Sequence, residues 1–196
     1  MKILGIGNAI VDVICKVEDS FLTNNGLTKS TMKLIFDEGE FKKLLSNLKI
    51  EKTVSGGSVA NSLVGLSQLG NKVGFIGKVC DDDLGKKYEA GLKKENVEYF
   101  YSKKKEQLPT GTCLILITPD SERTMCTFLG TAGKINENDV DTNAVKNSEI
   151  IFLEGYLWDE GDPKQAFDKA INNANKVAMS LADQFCVDRH KPHFLE

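Results

Sequence analysis

Apolar positions along the chain fall into short runs separated by longer amphipathic stretches. Lys2 to Gly7 (KILGIG) reads as a buried strand, and Val13 to Val17 is again strand-like after Asn8-Ala9-Ile10-Val11-Asp12. Leu22 to Ser30 is polar and turn-like, and Met32 to Phe36 predicts a short strand. Between Asp37 and Leu48 the spacing is helical. Phe41, Leu44, Leu45 and Leu48 share one face, Asp37 stands as N-cap and Glu40 at the capping-box position. A second helical run, Val59 to Leu69, ends at Gly70 and is followed by a strand within Lys72 to Val79. Asp81-Asp82-Asp83-Leu84-Gly85 opens a helix reaching about Lys94. Its three aspartates either hold a cation or form an N-cap and first turn, where the helix dipole favours negative charge.

Val97 to Tyr101 and Gly111 to Thr118 read as strands, Pro119 to Glu122 as a turn, and Arg123 to Phe128 as the returning arm of a hairpin. A short helix lies within Ile135 to Ser148. Glu149 to Leu153 is a strand, Asp162 to Asn175 a helix and Lys176 to Leu181 a strand. Ala182 to Glu196 reads as the approach to another element, with nothing resembling a closing strand or docking helix after it. A parallel sheet ending there leaves an open edge, so the expectation is the N-terminal part of a longer protein. Strands alternating with helices predict an α/β fold, a mainly parallel sheet flanked by helices. The hairpin-like pieces, roughly 13–36 and 97–128, break the alternation and predict a small β-sheet lid. No internal repeat, low-complexity segment or linker divides the 196 residues.

The chemistry concentrates at Ser55-Gly56-Gly57-Ser58-Val59-Ala60-Asn61-Ser62. Two glycines permit a sharp bend that leaves backbone amides uncovered. With Ser55 or Ser58 as N-cap, the helix N-terminus presents free donors there, and Asn61 lies one turn in. Such a site suits hydroxyls or negative charge; the plainer alternative is a helix start after a glycine turn. Asp12 sits in an apolar run, where an unpartnered buried carboxylate is costly; the alternative is the exposed side of an edge strand. Gly5-x-Gly7 after the first strand lacks the third glycine of the dinucleotide fingerprint, Ile10 standing in its place, so NAD binding is rejected.

Composition changes this picture little. Hydrophobic residues make up 41% and charged residues 27%, and the net charge of −3 gives no reason to expect nucleic acid or an anionic membrane as partner. Lys103-Lys104-Lys105 reads as a solvated loop. No apolar run approaches the roughly 20 residues of a membrane span. The five cysteines, Cys15, Cys80, Cys113, Cys126 and Cys186, are odd in number and form no C-x-x-C, which favours reduced thiols and a cytoplasmic location. Cys186, His190 and His193 lie close in sequence, but no fourth ligand stands at a usual spacing, and no metal site is expected.

The ordered set of motifs resembles the PfkB-type carbohydrate kinases of the ribokinase superfamily, nearest to the adenosine-kinase and sugar-kinase branches. The set comprises Gly7-Asn8-Ala9-Ile10-Val11-Asp12, Gly56-Gly57-Ser58-Val59-Ala60-Asn61, Leu69-Gly70, Phe75-Ile76-Gly77-Lys78-Val79 with Asp81-Asp82 and Gly85, Gly111-Thr112, Glu122-Arg123-Thr124 and Gly130-Thr131-Ala132. It runs through essentially the whole chain, with Cys80 where that family usually has glycine. The resemblance implies a ribokinase-like sandwich with a β-sheet lid, of which residues 1–196 form the N-terminal portion. It implies transfer of the ATP γ-phosphate, with Mg2+, to a hydroxymethyl group of a sugar or nucleoside. It implies substrate hydroxyls held by Asp12 and Asn61, Asn8 lining the same pocket, Gly56 and Gly57 as close-approach and hinge residues, and Arg123 on a lid strand near the site. A surface arginine opposite Glu122 is the alternative for Arg123. The family's Asp-Thr-x-Gly-Ala-Gly-Asp and Asn-x-x-Glu motifs are absent. The general base is therefore expected beyond residue 196, and these residues alone are expected not to catalyse phosphorylation. The alternative is a non-catalytic sugar- or nucleoside-binding domain. A homodimer through the lid is compatible with the resemblance.

Overall fold

The computed structural model describes residues 1–102, 104–158 and 162–195; Lys103 of the lysine run and Glu196 at the end of the tail lie outside them. In chain order the elements are β1 (Ile3–Ile6), β2 (Ile10–Lys16), α1 (Asp19–Asn24), β3 (Met32–Leu34), α2 (Glu38–Ser46), β4 (Ile50–Gly56) and α3 (Ser58–Gln68). There follow β5 (Val73–Ile76), α4 (Asp83–Lys94), β6 (Val97–Tyr99), β7 (Gly111–Ile117) and β8 (Arg123–Phe128). The last are α5 (Thr142–Lys146), β9 (Ile150–Glu154), α6 (Asp162–Asn173), β10 (Val177–Ser180) and α7 (Gln184–Phe194), with 3-10 turns at Gly130–Lys134, Glu137–Asp139 and Gly155–Leu157.

The short apolar runs become a parallel sheet in the order β10-β9-β1-β5-β6. Helices cover both faces, which is why β1 and β5 read as continuous apolar runs rather than alternating ones. On one face Leu4, Ile6 and Ile151 pack with Phe167 and Ala170 of α6. On the other Val59 and Leu63 of α3 and Tyr88 and Leu92 of α4 join a core that continues into the second sheet.

That second sheet runs β3-β8-β7-β2-β4. β2 pairs parallel with β7 and antiparallel with β4, and β7 pairs antiparallel with β8. Along β2, Val11, Val13 and Cys15 point into the shared core. The period of two puts Ile10 and Asp12 on the opposite face, where Ile10 clusters with Cys113 and Ala132.

Several expectations are corrected here. β6 pairs with β5 at the edge of the parallel sheet, so the span 97–128, expected to be lid, does not all join the second sheet. The charged segment 50–56 forms an edge strand whose outer residues are exposed, and its polarity hid it. α1 occupies part of the segment read as a turn. The short helix expected within 135–148 is α5, which follows a 3-10 turn. The tail contains α7, obscured by Pro192 in its last turn. Asp37 caps α2, accepting from Glu40 N–H at 2.7 Å, but the Glu40 carboxylate goes to Lys33 (3.0 Å) instead of closing the capping box. Asp82 takes the capping role among the three aspartates, accepting from Gly85 N–H at 2.7 Å. All five cysteines are buried and none forms a disulfide. Among the described residues no helix is long and apolar enough to cross a membrane.

Candidate functional site

β2 crosses beside the glycine bend, and the register sets Ile10 opposite Gly56 on one side and Gly111 on the other. Asp12 therefore lies within the sheet rather than on an edge strand, and is half-buried on the face away from the core. Burial lifts its carboxyl to a pKa of about 6. Among the described residues nothing donates a hydrogen bond to it, so it keeps its full acceptor capacity. Gly56 lies against it: a Cβ there would sit 2.5 Å from Asp12 Cγ. Gly57 has φ +95° and its missing Cβ would strike the Asn8 carbonyl, so glycine is demanded twice over at that position.

Gly57 is also the N-cap of α3, without a side-chain cap bond. The expected serine cap is not formed. Ser58 instead donates its hydroxyl to Glu154, and Ser55 donates to the Tyr88 carbonyl at 3.0 Å. Glu154, the last residue of β9, is 1% exposed. It accepts from Asn8 N–H at 2.9 Å and from the Val59 backbone, and burial raises its pKa to about 7. A carboxyl of this chain thus occupies the helix N-terminus that the sequence offered to a ligand. Gly7 makes room for it, since a Cβ there would lie 2.7 Å from Glu154 Oε1.

Asn8, Asp12, Gly57, Asn61 and Arg123 all line one cavity of about 350 Å³, and Gly56 backs it through its contact with Asp12. Asn8 is buried and its Oδ1 has no donor among the described residues. Arg123, opposite Ile117 in the sheet, opens onto the cavity. Its sequence neighbour Glu122 accepts instead from Ser30 Oγ at 2.7 Å. The wall from the second sheet and the residue after β8 is apolar, formed by Met32, Leu34, Ile115, Met125 and Leu129. Cys113 and Thr127 complete it. Burial pushes the Cys113 thiol up to about 12, so it lines the cavity neutral. The third wall comes from Tyr156, Phe185, Cys186, Arg189 and His190. A polar floor of carboxylate and amide beneath an apolar roof is the usual build of a small-molecule pocket, and the volume falls in the usual range. A larger depression of about 580 Å³ shares Leu34 and Leu129 with it, but its walls include Phe36, Phe128 and Pro163 and none of the expected site residues.

Sequence reasoning missed Glu154 and the wall from α7. The signal for Glu154 was weak: a carboxylate closes the apolar run Ile150-Ile151-Phe152-Leu153, but at a strand end, where exposure is ordinary, rather than inside the run as Asp12 is. Cys186 and His190 do meet at this cavity while His193 is exposed. Among the described residues no group of three histidine, cysteine or carboxylate side chains could hold a metal.

The model of the pfkB family carbohydrate kinases matches residues 4–193. The 5-dehydro-2-deoxygluconokinase of Clostridium perfringens (strain ATCC 13124) is 33% identical over 144 residues, covering 72% of this chain and 43% of that protein. The protein of the same name from Mesomycoplasma hyopneumoniae (strain 232) is 27% identical over 152 residues, covering 74% and 45%. Among solved structures, the adenosine kinase of Sinorhizobium meliloti superposes with a TM-score of 0.90 at 36% identity over 99% of this chain and 60% of that one. A probable sugar kinase from Rhizobium etli CFN 42 gives 0.88 at 35% identity, again over 99% and 60%. The chain spans less than half the length of the curated relatives it matches.

Proposed function

The chain belongs to the pfkB family of carbohydrate kinases, and from that membership we propose that residues 1–196 form the acceptor-binding part of a kinase acting on the hydroxymethyl group of a nucleoside, with adenosine the first candidate. The observation that carries this reading is the pairing of an unsatisfied Asp12 carboxylate with the apolar roof of Met32, Leu34, Met125 and Leu129 across one cavity. Ribose hydroxyls donate to Asp12, with Asn61 beside it supplying a donor and an acceptor. The apolar roof covers a flat base, which a bare monosaccharide does not need. The likeness to the Sinorhizobium adenosine kinase along nearly the full chain supports this choice.

ATP and Mg2+ complete the reaction, but the residues described do not fit them. The N-terminus of α3 is filled by Glu154, and no metal-holding group of side chains exists among the described residues. The chain's own contribution is to bind and orient the acceptor and, under the second sheet as a lid, to keep water from it. In this reading the described residues supply neither the general base nor the nucleotide site, and residues 1–196 alone do not transfer phosphate.

A second reading follows from Arg123, which forms no ion pair among the described residues and opens onto the cavity. A cation there suits the carboxylate of a sugar acid, in keeping with the name 5-dehydro-2-deoxygluconokinase of the curated relatives. ATP-dependent phosphorylation by the full-length protein decides between them. With adenosine, ribose, fructose and gluconate supplied in parallel, turnover of adenosine alone supports the nucleoside reading. Turnover of gluconate that is lost in Arg123→Ala supports the acid. Binding without turnover of any of them supports the non-catalytic alternative.

A further inference from the structure

Helix α4 is tied to the second sheet at two places, one on each side of β2. At its start the Asp82 carboxylate, besides capping the helix, accepts from Thr110 Oγ1 (2.7 Å) and Thr110 N–H (2.9 Å). Thr110 is the residue that leads into β7. Further along, the Tyr88 hydroxyl donates to the carbonyl of Gly56 (3.3 Å), the last residue of β4, while Ser55 Oγ donates back to the Tyr88 carbonyl (3.0 Å). Gly91 allows this approach, because a Cβ there would strike the Ser55 hydroxyl. β7 and β4 are the two neighbours of β2, so both roots of the sheet that carries Asp12 are held by one helix.

Tyr88 is fully buried. Its ring centroid lies 6.1 Å from those of both Phe75 and Tyr99, residues of β5 and β6 in the parallel sheet. The phenol therefore spans from the parallel sheet to the glycine bend. Phenylalanine would fill the same core space; only the hydroxyl reaches Gly56.

We propose that α4 is a clamp on the glycine bend and that Tyr88 is a positioning residue for acceptor binding, holding the Gly56 carbonyl and through it the backbone packed against the Asp12 carboxylate. The proposal deepens the reading of the cavity as the acceptor site and rests on it. A buried tyrosine hydroxyl always seeks a partner, so the test must separate a bond that merely satisfies the phenol from one that sets the bend.

The test compares full-length wild type, Tyr88→Phe and Ser55→Ala by amide hydrogen exchange across residues 54–58, by titration with adenosine, and by KM for ATP. Loss of one such bond is expected to weaken adenosine binding about 3- to 10-fold. Exchange across the bend rises in both variants and the KM for ATP stays at its wild-type value. Wild-type exchange and wild-type adenosine affinity in Tyr88→Phe overturn the clamp. A wild-type protein that does not bind adenosine sinks the nucleoside reading. The exchange comparison then decides the clamp alone: faster exchange in Tyr88→Phe supports it and unchanged exchange overturns it.

Discussion

Two carboxyls with opposite duties stand at the residue scale. Among the described residues Asp12 is half-buried with no donor, and Glu154 is buried with three. An ionised carboxylate accepts hydroxyl bonds on both oxygens and more strongly than the protonated acid, which keeps one oxygen for its own proton, so with a pKa of about 6 for Asp12, adenosine binding is expected to weaken as pH falls below about 6. Titration of Asp12→Asn across the same range should lose that dependence. Glu154 acts on stability. Its folded pKa of about 7 stands above the ordinary 4.5, so the folded state binds the proton more tightly than the unfolded chain does. The favourable contribution is full below about pH 4.5 and is lost as pH rises to about 7, at most roughly 3 kcal/mol. Urea midpoints of wild type should therefore fall relative to Glu154→Gln between those pH values, and parallel curves would refute the assignment. Of this pair, only Asp12 was legible beforehand. A lone charge inside an apolar strand flags itself, whereas Glu154 stood at a strand end, where exposure is the ordinary outcome.

The glycine bend is the element on which the site turns. Gly57 holds φ +95° against the Asn8 carbonyl, so Gly57→Ala is expected to cost about 1–3 kcal/mol in chemical denaturation. It should also displace the start of α3 and with it Asn61. Stability equal to wild type would show that the bend relaxes freely. The bend and the helix after it could be read from Gly56-Gly57 and the apolar spacing that follows, but its chemistry could not. The donors at the α3 N-terminus are taken by a residue nearly a hundred positions away, a tertiary fact no local pattern carries. β4 was hidden for a related reason: an edge strand with charged outer positions has no periodic apolar signal. α7 was masked by its proline and its weak amphipathic pattern. Strong periodicity, by contrast, made α2, α3 and α4 visible at once.

At the scale of the whole molecule, the parallel sheet and the second sheet share one continuous core, and the cavity opens where they meet. Their connection is reinforced by buried Lys78, which sits 3.1 Å from Asp139 Oδ2 and 3.4 Å from Glu106 Oε1. It ties the end of β5 to the segment before β7 and to the turn at Glu137–Asp139. Lys78→Met leaves those carboxylates without their buried partner and is expected to lower stability by about 3 kcal/mol, read from urea unfolding. The alternation of strands and helices made the parallel sheet legible, and its interruption made a second sheet legible. Which strands join which sheet was not, because β6 and β7 read alike and differ only in their partners. The proposed function rests most on the cavity under the second sheet being the acceptor site. Isothermal titration of full-length wild type and Asp12→Ala with adenosine tests it most directly. Saturable binding by wild type, weakened by about 2 kcal/mol or more in the variant, is expected. Equal affinity in the two proteins would contradict it and leave Asp12 and the glycine bend as structural features.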